Sequence, residues 1–233
     1  MIEYHVIVLA AGQGKRMKAG KNKQFIHLQG QPLIVHTLEN FVKDDWCKAI
    51  YIVISESDQA EMRALLKNYS WSEQIHFVSG GKERQDSGYQ GIKAIQPDRP
   101  DDIVMIHDGA RPFVGKEHLH QLAVIAKEAK AALLAVQVTD TIKQKKAEGI
   151  ETLDRSVLWA AQTPQAFHYN VIKKAHEMAN EQQFLGTDDA SLIEEYMPEV
   201  QVEIVEGSYQ NVKLTTPEDI LRAEMILNKR GEA

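Results

Sequence analysis

Short, continuous apolar runs recur along the chain, and helix-length amphipathic segments separate most of them. The runs Tyr4–Leu9, Ala49–Ser55, His76–Ser79, Asp102–His107, Ala132–Val138 and Gln201–Glu206 predict strands. Their unbroken apolar character, clearest in Val6-Ile7-Val8-Leu9, fits strands buried on both faces of a parallel sheet. Pro32–Val42, Ser57–Tyr69, Asp86–Ile95 and Lys116–Lys130 carry apolar residues at helical spacing and predict helices. Another helix is expected to begin at Thr216-Pro217, with threonine at the N-cap and proline at the first helical position. Strand and helix in alternation imply βαβ crossovers, hence an α/β fold whose mostly parallel sheet carries helices on both faces. Ligands in such sheets bind beyond the carboxyl ends of the strands.

One segment departs from this rhythm. Thr139–Arg155 is polar, with a turn-like Ala147-Glu148-Gly149 flanked by Thr141-Ile142-Lys143 and Ile150-Glu151-Thr152. The pattern is that of a hairpin leaving the globule with little core of its own. An isolated two-stranded hairpin is marginal in water, so packing on a second subunit would account for it; a loose surface loop is the plainer alternative. No repeat or linker divides the rest. Residues 1–233 are expected to form one domain, with 139–155 as an arm.

Composition narrows the function. The chain has 233 residues, 43% hydrophobic and 26% charged, enough for a substantial core. A net charge of −6 gives no basic field for nucleic acid or an anionic membrane, so neither is an expected partner. An anionic substrate must instead be met by cations gathered in one cleft. The single cysteine, Cys47, has no adjacent base, rules out an intrachain disulfide and fits a reducing cytoplasm. The absence of a signal-peptide core or an apolar run of about 18 residues points to a soluble protein.

Candidate chemistry begins where the first strand empties into Ala10-Ala11-Gly12-Gln13-Gly14-Lys15-Arg16-Met17, with Lys23 a few residues on. Small residues let backbone N–H groups approach phosphate oxygens, and the cations that follow complete a triphosphate cradle. An ordinary βα turn with solvated cations is the alternative. Met17 stands where a dinucleotide fingerprint needs its third glycine, and no G-K-[ST] closes a Walker loop. After the fourth strand come Asp108-Gly109-Ala110-Arg111-Pro112: a carboxylate for a metal or a sugar hydroxyl, and a guanidinium fork for phosphate. Gly80-Gly81, leading to Ser87, can lie against a planar base, although the same residues also describe a plain helix start. Lys213, in a short apolar run before the last helix, is the third candidate cation. None of the nine histidines shows H-E-x-x-H spacing, and there is no G-x-S-x-G elbow.

Eight blocks in order carry a resemblance across nearly the whole chain: residues 9–17, Lys23-Gln24, Gly80-Gly81-Lys82-Glu83-Arg84, His107 to Pro112, Asp140 to Lys143, Gln162-Thr163-Pro164-Gln165, Thr187 to Ser191, and Asn211 to Thr215. Together they resemble the 2-C-methyl-D-erythritol 4-phosphate cytidylyltransferases of non-mevalonate isoprenoid synthesis. Ribitol-5-phosphate cytidylyltransferases are the nearest alternative, but Gly109-Ala110 and Asp189-Ala190-Ser191 favour the erythritol enzymes.

The resemblance implies a Rossmann-like nucleotidyltransferase fold and a homodimer whose arm reaches the partner's site. It implies Arg16, Lys23 and Lys213 as the cations that act on the reacting phosphates. CTP would be held by Ala10, Ala11, Gly12, Gly14, Gly80, Gly81, Ser87 and Asp108. The sugar-alcohol phosphate would meet Asp108, Arg111 and Lys213, with Thr141 and Arg155 from the other subunit. Mg²⁺ or another divalent cation would be held mostly by CTP, with Asp108 as its protein ligand. Asn22 stands where the family usually has proline before the lysine, so a looser approach to Lys23 is expected. A non-catalytic nucleotide-binding module is the alternative of another class, although it would have no need of Arg16, Lys23 and Lys213. A dinucleotide-dependent oxidoreductase fails on Met17.

Overall fold

A computed structural model of the chain describes residues 2–12 and 22–231. In chain order the strands and helices are β1 (Tyr4–Leu9), β2 (His27–Leu28), β3 (Gln31–Pro32), α1 (Leu33–Val42), β4 (Cys47–Ile54), α2 (Gln59–Leu66), β5 (Ile75–Ser79), α3 (Arg84–Ala94), β6 (Ile103–Asp108) and α4 (Lys116–Ala129). The second half holds β7 (Ala131–Gln137), β8 (Lys143–Lys146), β9 (Gly149–Thr152), β10 (Trp159–His168), α5 (Tyr169–Glu181), α6 (Asp189–Tyr196), β11 (Glu203–Glu206) and α7 (Pro217–Gly231).

Seven strands form the central sheet in the order β11-β7-β10-β6-β1-β4-β5. β1 pairs in parallel with β4 and β6, and β5 and β11 join their neighbours in parallel too. Only β10 runs against its neighbours, β6 and β7. The continuous apolar runs are buried on both faces, as expected. Val6 and Val8 enter one core with Ile34 and Leu38 of α1, Met62 of α2 and Leu119 of α4. Ile7 and Leu9, a pleat apart, enter the other with Ile92 of α3, Ile172 of α5 and Leu192 of α6. A smaller cluster seats α7, through Ala223, on Leu28, Leu33 and Phe113.

The predicted strands are present with ends moved by a residue or two, and α2 is shorter than the apolar spacing suggested. β10 is the larger difference. Between Arg155 and Gln201 the hydrophobic pattern marks no strand, because Gln162-Thr163-Pro164-Gln165 is polar and proline is unusual inside a sheet. Its pairing with β7 slips between Ala161 and Gln165, which takes Thr163 out of that ladder and leaves its side chain free to serve β6. The arm is the expected hairpin: Lys143 pairs with Thr152 and Lys146 with Gly149, and every residue of both strands is exposed.

Candidate active site

β1, β5 and β6 all end on one edge of the sheet, and a cleft of about 300 Å³ opens above them. Ala11 and Gly12 line it after β1, Gly81 and Ser87 after β5, Asp108 and Ala110 after β6, and Lys23, Lys213 and Thr215 from the opposite side. Lys23, Lys82, Arg84 and Lys213 face it against two carboxylates, Glu83 and Asp108. An acidic chain has thus gathered its local excess of cations where an anion would enter.

The floor of the cleft is built on Asp108. Its Oδ2 accepts from Lys213 Nζ at 2.8 Å, Arg84 Nε lies 3.3 Å from Oδ1, and Arg111 Nε lies 3.8 Å from Oδ2. Burial alone would raise the Asp108 carboxyl, but Arg84, then Lys213 and Arg111, hold it well below the usual carboxylate range. Arg84 also reaches back through Nη1 to Asp189 Oδ2 at 2.8 Å, and Asp189 Oδ1 lies 3.3 Å from His176 Nε2. Arg84 therefore bridges two buried acids, using the fork that a lysine lacks.

Local chemistry explains how these groups are presented. Glu83 and Asp86 close a capping box at the start of α3, which fixes Arg84 in its first turn. A Cβ on Gly80 would lie 2.7 Å from Ala11 Cβ, and one on Gly81 2.3 Å from Asp86 Cβ, so the first glycine lets this loop pack against the β1 loop and the second lets it fold onto the start of α3. Ser87 Oγ accepts the Gly81 N–H at 3.1 Å and donates to the Glu83 carbonyl at 3.1 Å, fixing the glycine turn from beneath. Gly109 passes so close to β1 that its N–H donates to the Leu9 carbonyl at 2.9 Å and a Cβ there would stand 3.0 Å from that oxygen.

Lys23 donates from Nζ to the Leu214 carbonyl at 3.0 Å, which brings it beside Lys213. Asn22, at the position of the family's usual proline, is tied down by its side chain. Asn22 is buried; its Nδ2 donates to the Ala10 carbonyl at 3.2 Å and to Asp58 Oδ2 at 2.7 Å, and its Oδ1 accepts the Gln24 N–H at 3.1 Å. These side-chain hydrogen bonds restrain the segment from a direction other than the φ restriction of a proline ring.

Of the sequence-predicted residues, Ala11, Gly12, Lys23, Gly81, Ser87, Asp108 and Lys213 line the cleft, while Ala10 and Gly80 support it from behind. Arg111 lies beneath Asp108 rather than in the wall. Its Nη1 donates to the Asn211 carbonyl at 2.7 Å, and its Nε has no hydrogen-bond partner among the described residues. Thr141 and Arg155 stand exposed in the arm and do not line this cleft; Arg155 Nη1 donates to the Thr139 carbonyl at 2.6 Å. Gly14 and Arg16 lie outside the described residues. Sequence reasoning assigned no role to Arg84 or Asp189. A buried aspartate at a strand end calls for a cationic partner, but nothing in one sequence says that the partner is 24 residues upstream.

Among the described residues no three His, Cys, Asp or Glu side chains are grouped to hold a metal ion. Asp108 alone could join a cation whose other ligands are phosphate oxygens and water, the usual arrangement for Mg²⁺.

Comparison with known proteins agrees with this geometry. The family described as 2-C-methyl-D-erythritol 4-phosphate cytidylyltransferase matches residues 4–229. The protein of that name from Bacillus velezensis is 52% identical over 227 residues, covering 97% of this chain and 96% of its own. Its counterpart from Shouchella clausii is 53% identical over 230 residues, covering 98% of each. The crystal structure of 4-diphosphocytidyl-2C-methyl-D-erythritol synthase from Anaerococcus prevotii superposes with a TM-score of 0.86 at 30% identity, covering 97% of this chain and 96% of that one. The chain belongs to the 2-C-methyl-D-erythritol 4-phosphate cytidylyltransferase family.

Proposed function

We infer that this chain is a CTP-dependent cytidylyltransferase that moves CMP from CTP to 2-C-methyl-D-erythritol 4-phosphate. The products are 4-diphosphocytidyl-2-C-methyl-D-erythritol and pyrophosphate. The observation that carries the chemistry is the cation-rich cleft around Asp108, in a chain matched to the family over residues 4–229. A phosphate monoester, with a second pKa of about 6, is largely dianionic near neutral pH. Its oxygen can attack the α-phosphorus of CTP without a general base, and the bond to pyrophosphate breaks as the new P–O bond forms. The obstacle is repulsion between a dianion and a triphosphate. Lys23 and Lys213, with Arg16 from the glycine loop, oppose that repulsion and the charge growing on pyrophosphate, so catalysis is positioning plus charge stabilisation. A divalent cation such as Mg²⁺, held chiefly by the triphosphate with Asp108 as its protein carboxylate, supplies further neutralisation when bound.

We also propose that the chain works in the cytoplasm as a homodimer through its 139–155 arm. In support, β8 and β9 bury nothing of their own, and Thr141 and Arg155 are exposed and do not line their own cleft. Packing on a second copy would give the hairpin a core and bring both residues to the partner's substrate.

The test is pyrophosphate release with CTP and Mg²⁺, comparing methylerythritol 4-phosphate with ribitol 5-phosphate. Release with the former alone is expected. Preference for ribitol phosphate would move the same chemistry to another acceptor. Silence with both acceptors while CTP binds would leave a nucleotide-binding module.

A further inference from the structure

His107 is fully buried at the penultimate position of β6, beside the site yet absent from the chemistry described above. Its two ring nitrogens are both engaged. Nε2 lies 2.9 Å from the Arg111 carbonyl, which only accepts, so Nε2 carries the hydrogen. With the ring's hydrogen committed to Nε2, Nδ1 is left with its lone pair as an acceptor. Thr163 Oγ1, 3.2 Å away, then donates to Nδ1, and the same oxygen accepts the Asp108 N–H at 2.9 Å.

The consequence is a brace across one turn. Residues 108–111 close on themselves through Arg111 N–H to the Asp108 carbonyl at 3.0 Å. His107 ties down the far end directly, at the Arg111 carbonyl, and the near end through Thr163, at the Asp108 N–H. Phe41 packs edge-on against the ring, with centroids 5.2 Å apart, and limits its rotation. An apolar side chain would fill this space equally well. What the imidazole adds is a donor and an acceptor pointing to the two ends of the turn that presents Asp108 and Arg111.

We propose that His107 is a positioning residue for the acceptor substrate, holding the 108–111 turn through Thr163 and the Arg111 carbonyl so that Asp108, backed by Arg111, meets the sugar phosphate in one fixed geometry. The proposal rests on the cytidylyltransferase reading and extends it to a residue that touches neither substrate. CTP, held largely by the β1 and β5 loops, depends on the brace much less.

The experiment compares the parent, His107→Phe, His107→Gln, Thr163→Val and the His107→Phe/Thr163→Val double variant. Pyrophosphate release gives kcat and KM for each substrate, titration gives CTP affinity, and melting checks the fold. His107→Phe removes both hydrogen bonds, and Thr163→Val removes the link to Asp108. Each is expected to lower kcat/KM for methylerythritol phosphate about tenfold, the size of one or two lost hydrogen bonds, with CTP affinity within about twofold of the parent. The double variant is expected to be no worse than about the poorer single one, because both break the same brace. Glutamine, which offers a donor and an acceptor on a side chain of similar length, is expected to recover most of the loss. The proposal is overturned if His107→Phe keeps the parent's kcat/KM, if both substrates suffer equally, or if the two substitutions multiply. If His107→Phe does not fold, Thr163→Val and His107→Gln still decide the matter by the same split between substrates. A parent that releases no pyrophosphate would overturn the functional reading itself, a result distinct from an active parent with indifferent variants.

Discussion

Asp108 Oδ2 accepts a hydrogen bond from Lys213 Nζ at 2.8 Å, joining the end of β6 to the loop that precedes α7. The two partners are not equivalent. Asp108 is buried and shared by three cations, whereas the Lys213 side chain is 37% exposed and faces the cleft. Removing the lysine leaves the carboxylate with two guanidinium groups; removing the carboxylate leaves three cations without their common partner. Lys213→Ala is therefore expected to fold nearly normally and to lose about a hundredfold in turnover, as for a lost charge-stabilising donor. Asp108→Asn is expected to cost about 3 kcal/mol of stability as well as activity. Denaturant melts alongside steady-state rates check the contrast, and equal stabilities for the two variants would contradict it.

Arg84 divides its guanidinium between Asp108 and Asp189. A lysine carries the same charge but cannot hold both acids in a fixed geometry. Arg84→Lys and Asp189→Asn are each expected to lower kcat/KM about tenfold, the second at a residue that does not itself line the cleft. Kinetics of Asp189→Asn indistinguishable from the parent would reduce Asp189 to a helix-start residue of α6.

The parts of this site that the sequence made legible are local ones. A β-run followed by small residues, an aspartate one step past a strand and a lysine just before a helix can each be read from a few neighbours. Arg84, Asp189 and Thr163 could not be placed that way, because their partners are distant in sequence and only the folded sheet and its helices bring them together. β10 escaped for a different reason: Pro164 and its polar neighbours break the apolar run, yet that break is what frees Thr163 for Asp108. Asn22 is a related case. An asparagine in place of proline reads as a loss of restraint on φ, but the hydrogen bonds that its side chain makes to Ala10, Asp58 and Gln24 come from partners the local sequence does not reveal.

That asparagine carries its own expectation. Lys23→Ala and Arg16→Ala should each reduce turnover at least about a hundredfold by removing a cation from the reacting phosphates. Asn22→Ala leaves every charge in place but cuts the links to Ala10, Asp58 and Gln24. It is expected to lower kcat about tenfold while the protein still melts cooperatively. An Asn22→Ala enzyme with the parent's kcat would mean that Lys23 is positioned without the asparagine's links.

The arm can be tested by complementation. Arg155→Ala is expected to weaken the apparent affinity for the sugar phosphate more than that for CTP. In a dimer with exchanged arms, a subunit carrying Lys23→Ala still lends its Arg155 to a partner that carries Arg155→Ala. Mixing the two impaired variants under conditions that exchange subunits is thus expected to restore turnover above either alone. No recovery, with subunit exchange verified by a tag, would place Arg155 outside the partner's site.

His5 predicts a pH dependence of stability remote from the cleft. It is buried at the start of β1, and neither ring nitrogen has a hydrogen-bond partner among the described residues. Burial lowers its pKa, aided by nearby Lys48 and opposed by Asp102, Asp98 and Glu3. In the unfolded chain an imidazole titrates near 6.5. Below that pH the unfolded state takes up a proton that the folded state resists, so this contribution is complete above about 6.5 and falls away as pH drops. His107 and His168 are shifted in the same direction and add to the slope. Comparing the parent with His5→Phe by denaturant unfolding at pH 7 and pH 5 isolates the His5 share. The parent is expected to lose more stability over that interval than the variant, because phenylalanine binds no proton in either state. Equal losses would mean that the buried ring takes up its proton without unfolding.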